Sequence, residues 1–123
     1  MSGYLLDTNI ILWSIDGYER LSNAQREIVE HAPDIYFSIA SVWEMAIKAS
    51  IGKLRVPDKI TDHLLQMNYK QLQISTFHAE AIRQLPHLHR DPFDRLLICQ
   101  AQTEHLTLIT SDKNIRRYDV DTI

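Results

Sequence analysis

Four acids in this chain stand at the ends of apolar stretches or inside them, where an unneutralised carboxylate is costly. Asp7 closes the short apolar run Tyr4-Leu5-Leu6 and is followed at once by a hydroxyl and an amide, Thr8 and Asn9. Asp112 lies just beyond the β-forming run Leu106-Thr107-Leu108-Ile109, after Thr110 and Ser111. Glu44 is embedded in Val42-Trp43-Glu44-Met45-Ala46-Ile47, and Asp94 falls in the first turn of the apolar stretch opening at Pro92. Each has an ordinary explanation. Asp7 can simply cap the helix behind it. Glu44 can pair with Lys48 at i,i+4 spacing, an arrangement worth only ~0.3–0.5 kcal/mol on a wet face. Asp94 can support an Asp91 cap at a helix N-terminus, and Asp112 can belong to a Ser-Asp turn. Gathered together, the four would do something different. Carboxylates about 5 Å apart repel by ~3 kcal/mol per pair at an effective dielectric near 20, and a bound cation removes that repulsion. Oxygen ligands alone select Mg²⁺ or Mn²⁺ over zinc.

Such a gathering requires a framework, and the order of elements supplies one. A first strand over about Gly3 to Asp7 runs into a helix carrying Ile10, Ile11 and Trp13, which Asp16-Gly17 breaks. Ser22 and Gln25 have capping-box spacing before a helix with Ile28 and Val29. Ile35-Tyr36-Phe37 reads as a second strand, and Ser38 starts a helix whose apolar positions Ile39, Trp43, Ala46 and Ile47 recur with helical period. Pro57-Asp58 marks another helix start, with Ile60, Leu64 and Met67 along one face. Leu72 and Ile74 suggest a third strand. Phe77, Ala81 and Leu85 share one side of the helix that follows Ser75 and Thr76, and Pro86 stops it. Asp91-Pro92 opens an apolar helix to roughly Thr103, Leu106 to Ile109 is the fourth strand, and Tyr118 to Ile123 offers an edge strand. Strands alternating with helices predict an α/β fold, a parallel sheet of four to five strands covered on both faces. In open sheets of this kind ligands sit beyond the carboxyl ends of the strands. Asp7, Asp94 and Asp112 can converge at that edge, joined by Glu44 from the helix after the second strand.

The 123 residues suit one domain, 1–123, with a core that needs no staples. A net charge of −3, from 16 acids against 13 bases, argues against coating nucleic acid through overall charge. It leaves room for a nucleic-acid enzyme whose acids are concentrated where metal neutralises them. The single cysteine, Cys99, forms no internal disulfide, and Leu96, Leu97 and Ile98 beside it predict a buried thiol. No basic leader precedes the first apolar run and no run is long enough to span a bilayer, so a cytoplasmic protein is expected. No repeat or low-complexity tract appears.

Four blocks carry a family likeness: Leu5-Leu6-Asp7-Thr8-Asn9, Ser41-Val42-Trp43-Glu44, His89-Arg90-Asp91-Pro92-Phe93-Asp94-Arg95-Leu96-Leu97 and Leu108-Ile109-Thr110-Ser111-Asp112. They resemble the signature blocks of PIN-domain nucleases, above all the VapC-like toxins of bacterial type II toxin–antitoxin pairs. The blocks fall in family order and span residues 4 to about 118. The resemblance implies a three-layer α/β/α sandwich, ribonuclease activity, homodimerisation and inhibition by an antitoxin protein. It makes Asp7, Glu44, Asp94 and Asp112 the acidic metal site, with Thr8, Asn9 and Thr110 as orienting neighbours and Asp91 outside the quartet as a cap. Mg²⁺ or Mn²⁺ held there would activate a water in line with the scissile phosphorus of RNA, leaving 5′-phosphate and 3′-hydroxyl ends. Arg90, Arg95, Lys113, Arg116 and Arg117 flank the acidic blocks as candidate phosphate contacts.

Other readings stay open on the sequence. His87-Leu88-His89-Arg90-Asp91 has the H-x-H-x-D spacing of some zinc hydrolases, but Pro92 stands where a further histidine is expected. His89 then reads as a loop residue near the site. A PIN nuclease of RNA processing would lack an antitoxin. A signalling receiver would want paired acids after the first strand and an Asp after the third; the chain has Asp7 alone, then Ile74-Ser75-Thr76. A non-catalytic RNA-binding module is the remaining alternative.

Overall fold

The computed structural model describes residues 2–123. Four short strands, β1 (Tyr4–Leu6), β2 (Ile35–Ser38), β3 (Lys70–Leu72) and β4 (Thr107–Ile109), form a wholly parallel sheet in the order β3-β2-β1-β4. Six helices join them: α1 (Thr8–Ile15), α2 (Asn23–His31), α3 (Ile39–Ser50), α4 (Ile60–Gln66), α5 (Thr76–Ala81) and α6 (Pro92–Glu104). Leu6 pairs with both Phe37 and Ile109, so β1 and β4 end level and β2 runs one residue further, to Ser38. The next residues, Asp7, Ser38 and Thr110, therefore share one row at the carboxyl edge.

Side-chain alternation along the strands divides the core in two. Leu5 and Leu108 pack with Leu97, Ile98 and Ala101 of α6, whereas Leu6, Phe37 and Ile109 pack with Ile10, Ile11 and Leu64. Helices cover both faces of the sheet, as the α/β/α expectation requires. Gly3, just before β1, has φ 130°, and a Cβ there would stand 2.6 Å from the Asp34 carbonyl oxygen. Ser22 and Gln25 form the expected capping box, and Asp91 caps α6 with Pro92 in its first turn.

Several local expectations change. The sheet has four strands; the tail contributes only a parallel bridge between Leu108 and Thr122. The helix expected from Pro57-Asp58 begins at Ile60, because Lys59 adopts left-handed backbone at φ 56°. Ile74 lies beyond β3. In α5 the residue turned inward is His78, whose ring closes a capping box with Ser75, while Phe77 is 76% exposed. The phase of α3 also differs. Its buried stripe is Ala40, Ser41, Glu44 and Met45, and Trp43 and Ile47 face outward. Ser38 caps α3 at the sheet edge and Thr8 bonds Glu44, which together turn the polar positions inward. Cys99 is buried, as expected. No described helix is long and apolar enough to cross a membrane.

Candidate active site

Asp7 leaves β1 at the level edge, and its Oδ1 accepts the Ile10 amide at 2.8 Å, capping α1. The cap reading therefore holds, and the same side chain lines the cleft between these acids. Asp7 is only 4% exposed. Burial pushes its carboxyl up to about 6, against hydrogen bonds from Thr110 and the Ile10 amide, and the charges of Asp112 and Glu44 add to the rise. The Thr110 hydroxyl oxygen accepts the Asp112 amide at 3.0 Å, which leaves its proton for Asp7.

Glu44 reaches the same edge from α3. The Thr8 hydroxyl donates to its Oε1 at 2.6 Å, with Ser41 Oγ 3.0 Å from Thr8 Oγ1. Lys48 Nζ donates to Oε2 at 2.6 Å. The i,i+4 pair is real, but Glu44 is buried rather than on a wet face.

Asp94 comes from the first turn of α6. Burial, then the charge of Asp91, pushes its carboxyl up to about 7; a hydrogen bond to His89 opposes them, and Glu44 and Asp7 add to the rise. His89 Nδ1 accepts the Arg90 amide at 3.1 Å, so Nε2 carries the proton and donates to Asp94 Oδ2 at 2.9 Å. The same Nε2 stands 3.6 Å from Asp112 Oδ2. Asp112 also folds its own loop, its Oδ1 accepting the Asn114 amide at 2.7 Å.

Asp7, Thr8, Asn9, Glu44, Lys48, His89, Asp91, Asp94 and Asp112 all line one cleft at the carboxyl edge of β1 and β4. Within it, the group whose ligand atoms lie within 4.8 Å of one another is His89, Asp94 and Asp112. Asp7 and Glu44 are wall residues of the same cleft, and both Glu44 oxygens already have partners. The donor set is rich in oxygen, and Asp7 and Asp94 within it are driven toward the neutral form. These residues fit a divalent cation. Sequence reasoning placed His89 nearby without a role, paired Lys48 with Glu44 but on a wet face, and gave Ser41 no role. The H-x-H-x-D spacing was a signal for His89, but with the wrong partners: His87 is exposed, and Asp91 Oδ1 accepts the Asp94 amide at 3.0 Å.

The basic candidates separate. Arg90 and Lys113 are exposed beside the cleft residues. Arg95 is not available to phosphate: it is 7% exposed, and its guanidinium donates to the carbonyls of Leu85 and Pro86 and to the Tyr118 hydroxyl. Tyr118 in turn accepts the Leu88 and His89 amides, each at 2.9 Å. Arg95 therefore pins the loop that presents His89. Arg116 and Arg117 donate to the Thr110 and Leu88 carbonyls.

Comparison with known proteins agrees with this frame. Ribonuclease VapC22 of Mycobacterium tuberculosis is 26% identical over 121 residues, 96% of this chain and 93% of that protein. The solved structure of VapBC2 from Rickettsia felis bound to a promoter DNA fragment is similar at a TM-score of 0.74 and 16% identity, covering 98% of this chain and 97% of that one. DNA-bound VapBC from Salmonella typhimurium gives a TM-score of 0.72 at 15% identity, covering 100% and 98%. The PIN domain model matches residues 4–121. That match runs from the first residue of β1 past the turn that carries Asp112, and the chain belongs to the PIN domain family.

Proposed function

We propose that this chain, a single domain, is a metal-dependent ribonuclease and the toxin of a type II toxin–antitoxin pair. One observation carries the reading: Asp7, Glu44, Asp91, Asp94 and Asp112 converge on a cleft in which Lys48 is the only ammonium among the described residues. The name of the mycobacterial relative and the complexes formed by the structural neighbours support the ribonuclease and the antitoxin respectively. Mg²⁺ or Mn²⁺ held by Asp7, Asp94 and Asp112, with Glu44 behind them, would supply an acidified water and offset charge on the scissile phosphate. The chain's own residues hold this arrangement in place. The α1 amide fixes Asp7, Thr8 and Lys48 fix Glu44, and His89 orients Asp94 through its Nε2 proton. Asn9 and Thr110 border the acids as hydrogen-bonding neighbours. Arg90 and Lys113 contact flanking phosphates.

An antitoxin segment would silence the site by placing Arg or Lys among the carboxylates, as Lys48 already does for Glu44 within the chain. Homodimerisation and a cytoplasmic location complete the proposal. Protein freed of its partner should cleave RNA with Mg²⁺ or Mn²⁺, stop with EDTA, and leave 5′-phosphate and 3′-hydroxyl ends. Expression alone should arrest growth, with an antitoxin gene adjoining; sedimentation should report a dimer. Cleavage that persists in chelator, or that only zinc supports, would sink the mechanism. Cleavage without growth arrest or a neighbouring antitoxin would point to an RNA-processing nuclease instead.

A further inference from the structure

Two of the cleft acids are each preceded directly by an aromatic residue: Trp43 stands before Glu44 on α3, and Phe93 before Asp94 on α6. One residue turns a helix by about 100°, so when the acid faces the cleft its neighbour faces sideways. The two rings meet edge to face, with centroids 5.1 Å apart and planes at 78°. Phe93 thereby steadies a tryptophan that is itself 57% exposed. Trp43 borders a second, wider groove of about 760 Å³, with Ile82, His87, His89, Arg90 and Leu96 among its lining. His89 is common to this groove and to the acidic cleft. Among the described residues the lining of the groove includes no carboxylate, in contrast to the cleft beside it.

From this juxtaposition we infer that Trp43 is a stacking platform for a nucleobase of single-stranded RNA, next to the phosphate held in the acidic cleft. The inference rests on the ribonuclease reading above and extends it to the form of the substrate. A flat apolar surface bordered by an exposed arginine and free of acids is complementary to a base and its phosphate. A protein segment could also cover an apolar groove. Continuity through His89 favours RNA, because a strand whose phosphate lies in the cleft has this groove directly beside it. In a duplex the face of each base is already stacked on its neighbours, so a duplex cannot use the platform. Aromatic stacking tolerates every base, so Trp43 selects strandedness rather than sequence.

The test separates binding from cleavage. In a protein carrying Asp94→Asn and Trp13→Phe, Trp43 is the sole tryptophan. With Mg²⁺ present, oligoadenylate and oligouridylate should each quench its fluorescence, and their annealed duplex should not. Adding Trp43→Ala should weaken single-strand binding about tenfold by anisotropy, and Trp43→Phe should recover most of that loss. In the otherwise native chain, Trp43→Ala should lower kcat/KM on single-stranded RNA by a similar factor. Binding without quenching, equal affinity in Trp43→Ala, or no binding of either oligonucleotide overturns the platform. An effect of Trp43→Ala confined to self-association or to capture of a protein partner also overturns it and assigns the groove to protein. If the native chain cuts no RNA yet the quenching and the tenfold loss persist, stacking stands and the ribonuclease reading falls. If the native chain cuts RNA and Trp43→Ala cuts equally well, the reverse holds.

Discussion

Asp94 is pressed toward its neutral form by burial and by the Asp91 charge, while His89 holds the ionised form from one side. Asp7 is in a similar position at the end of β1. Both carboxyls are raised from 3.8, Asp94 to about 7 and Asp7 to about 6. The folded, metal-free chain thus keeps protons that the unfolded chain releases. Stability from these groups is fully present below about pH 4 and is lost as pH rises through 6 and 7, by roughly a few kcal/mol in all. Asp94→Asn keeps the shape of the side chain and removes its titration. In EDTA the variant should melt above the native chain at pH 8, and that advantage should shrink by pH 5 and disappear below about pH 4; cleavage should be abolished. Asp91→Asn is the control, since Asn caps nearly as well as Asp and activity should survive. Melting curves across pH beside a cleavage assay decide it: an active Asp94→Asn with a dead Asp91→Asn would misassign the third acid. The positions of Asp7, Asp94 and Asp112 were legible because each follows an apolar run or opens one. The partners of His89 were not. They are carboxylates brought from other elements, and a lone histidine in a loop carries no such information; the Glu44–Lys48 pair was readable from its spacing, its burial was not.

At the level of elements, the order of strands and helices was readable, whereas the rotation of a helix about its axis was not. Trp43, Ala46 and Ile47 satisfy helical period as well as the stripe that is buried, Ala40, Ser41, Glu44 and Met45. Hydrophobicity alone therefore chooses the wrong face of α3, because the inward face is built around a bonded acid. Arg95 posed the same problem. In a block rich in charge it reads as a phosphate contact, but the carbonyls it binds belong to the loop before α6. Arg95→Met keeps much of the aliphatic packing and deletes the donors, leaving buried carbonyls and the Tyr118 hydroxyl short of partners. It should destabilise the fold by about 2–4 kcal/mol in denaturant titrations. The salt dependence of RNA binding should stay at the native slope in the folded Arg95→Met protein. Arg90→Ala and Lys113→Ala should do the opposite, leaving stability near native while lowering the slope by about 0.7 each on single strands. A reduced slope in Arg95→Met would return that arginine to the RNA surface.

For the molecule as a whole, a level carboxyl edge is what turns separated acids into one site. Parallel pairing sets Asp7 and Thr110 side by side, and the helices that cover the two faces bring Glu44 and Asp94 to meet them. The alternation of elements foretold that edge; the tight grouping of His89 with Asp94 and Asp112 required the folded loops. The chain carries a net charge of −3, and the cleft concentrates five of its acids around one lysine. Divalent cation should consequently act on the stability of the whole fold and not only on catalysis. A ligand bound solely by the folded state at a hundred times its Kd adds about 2.7 kcal/mol. For a domain of this size that is a rise in Tm on the order of 10 °C. Binding must displace the protons held by Asp7 and Asp94, so affinity falls as pH drops below their values of about 6 and about 7. Calorimetry with and without Mg²⁺ should show a large upward shift at pH 8, a smaller one at pH 6.5 and almost none at pH 5. Asp94→Asn should flatten the series by removing a ligand along with a titrating group. A shift of equal size at pH 5 and pH 8, or one untouched by Asp94→Asn, would place the ion away from this cleft and leave its carboxylates to be explained by structure alone.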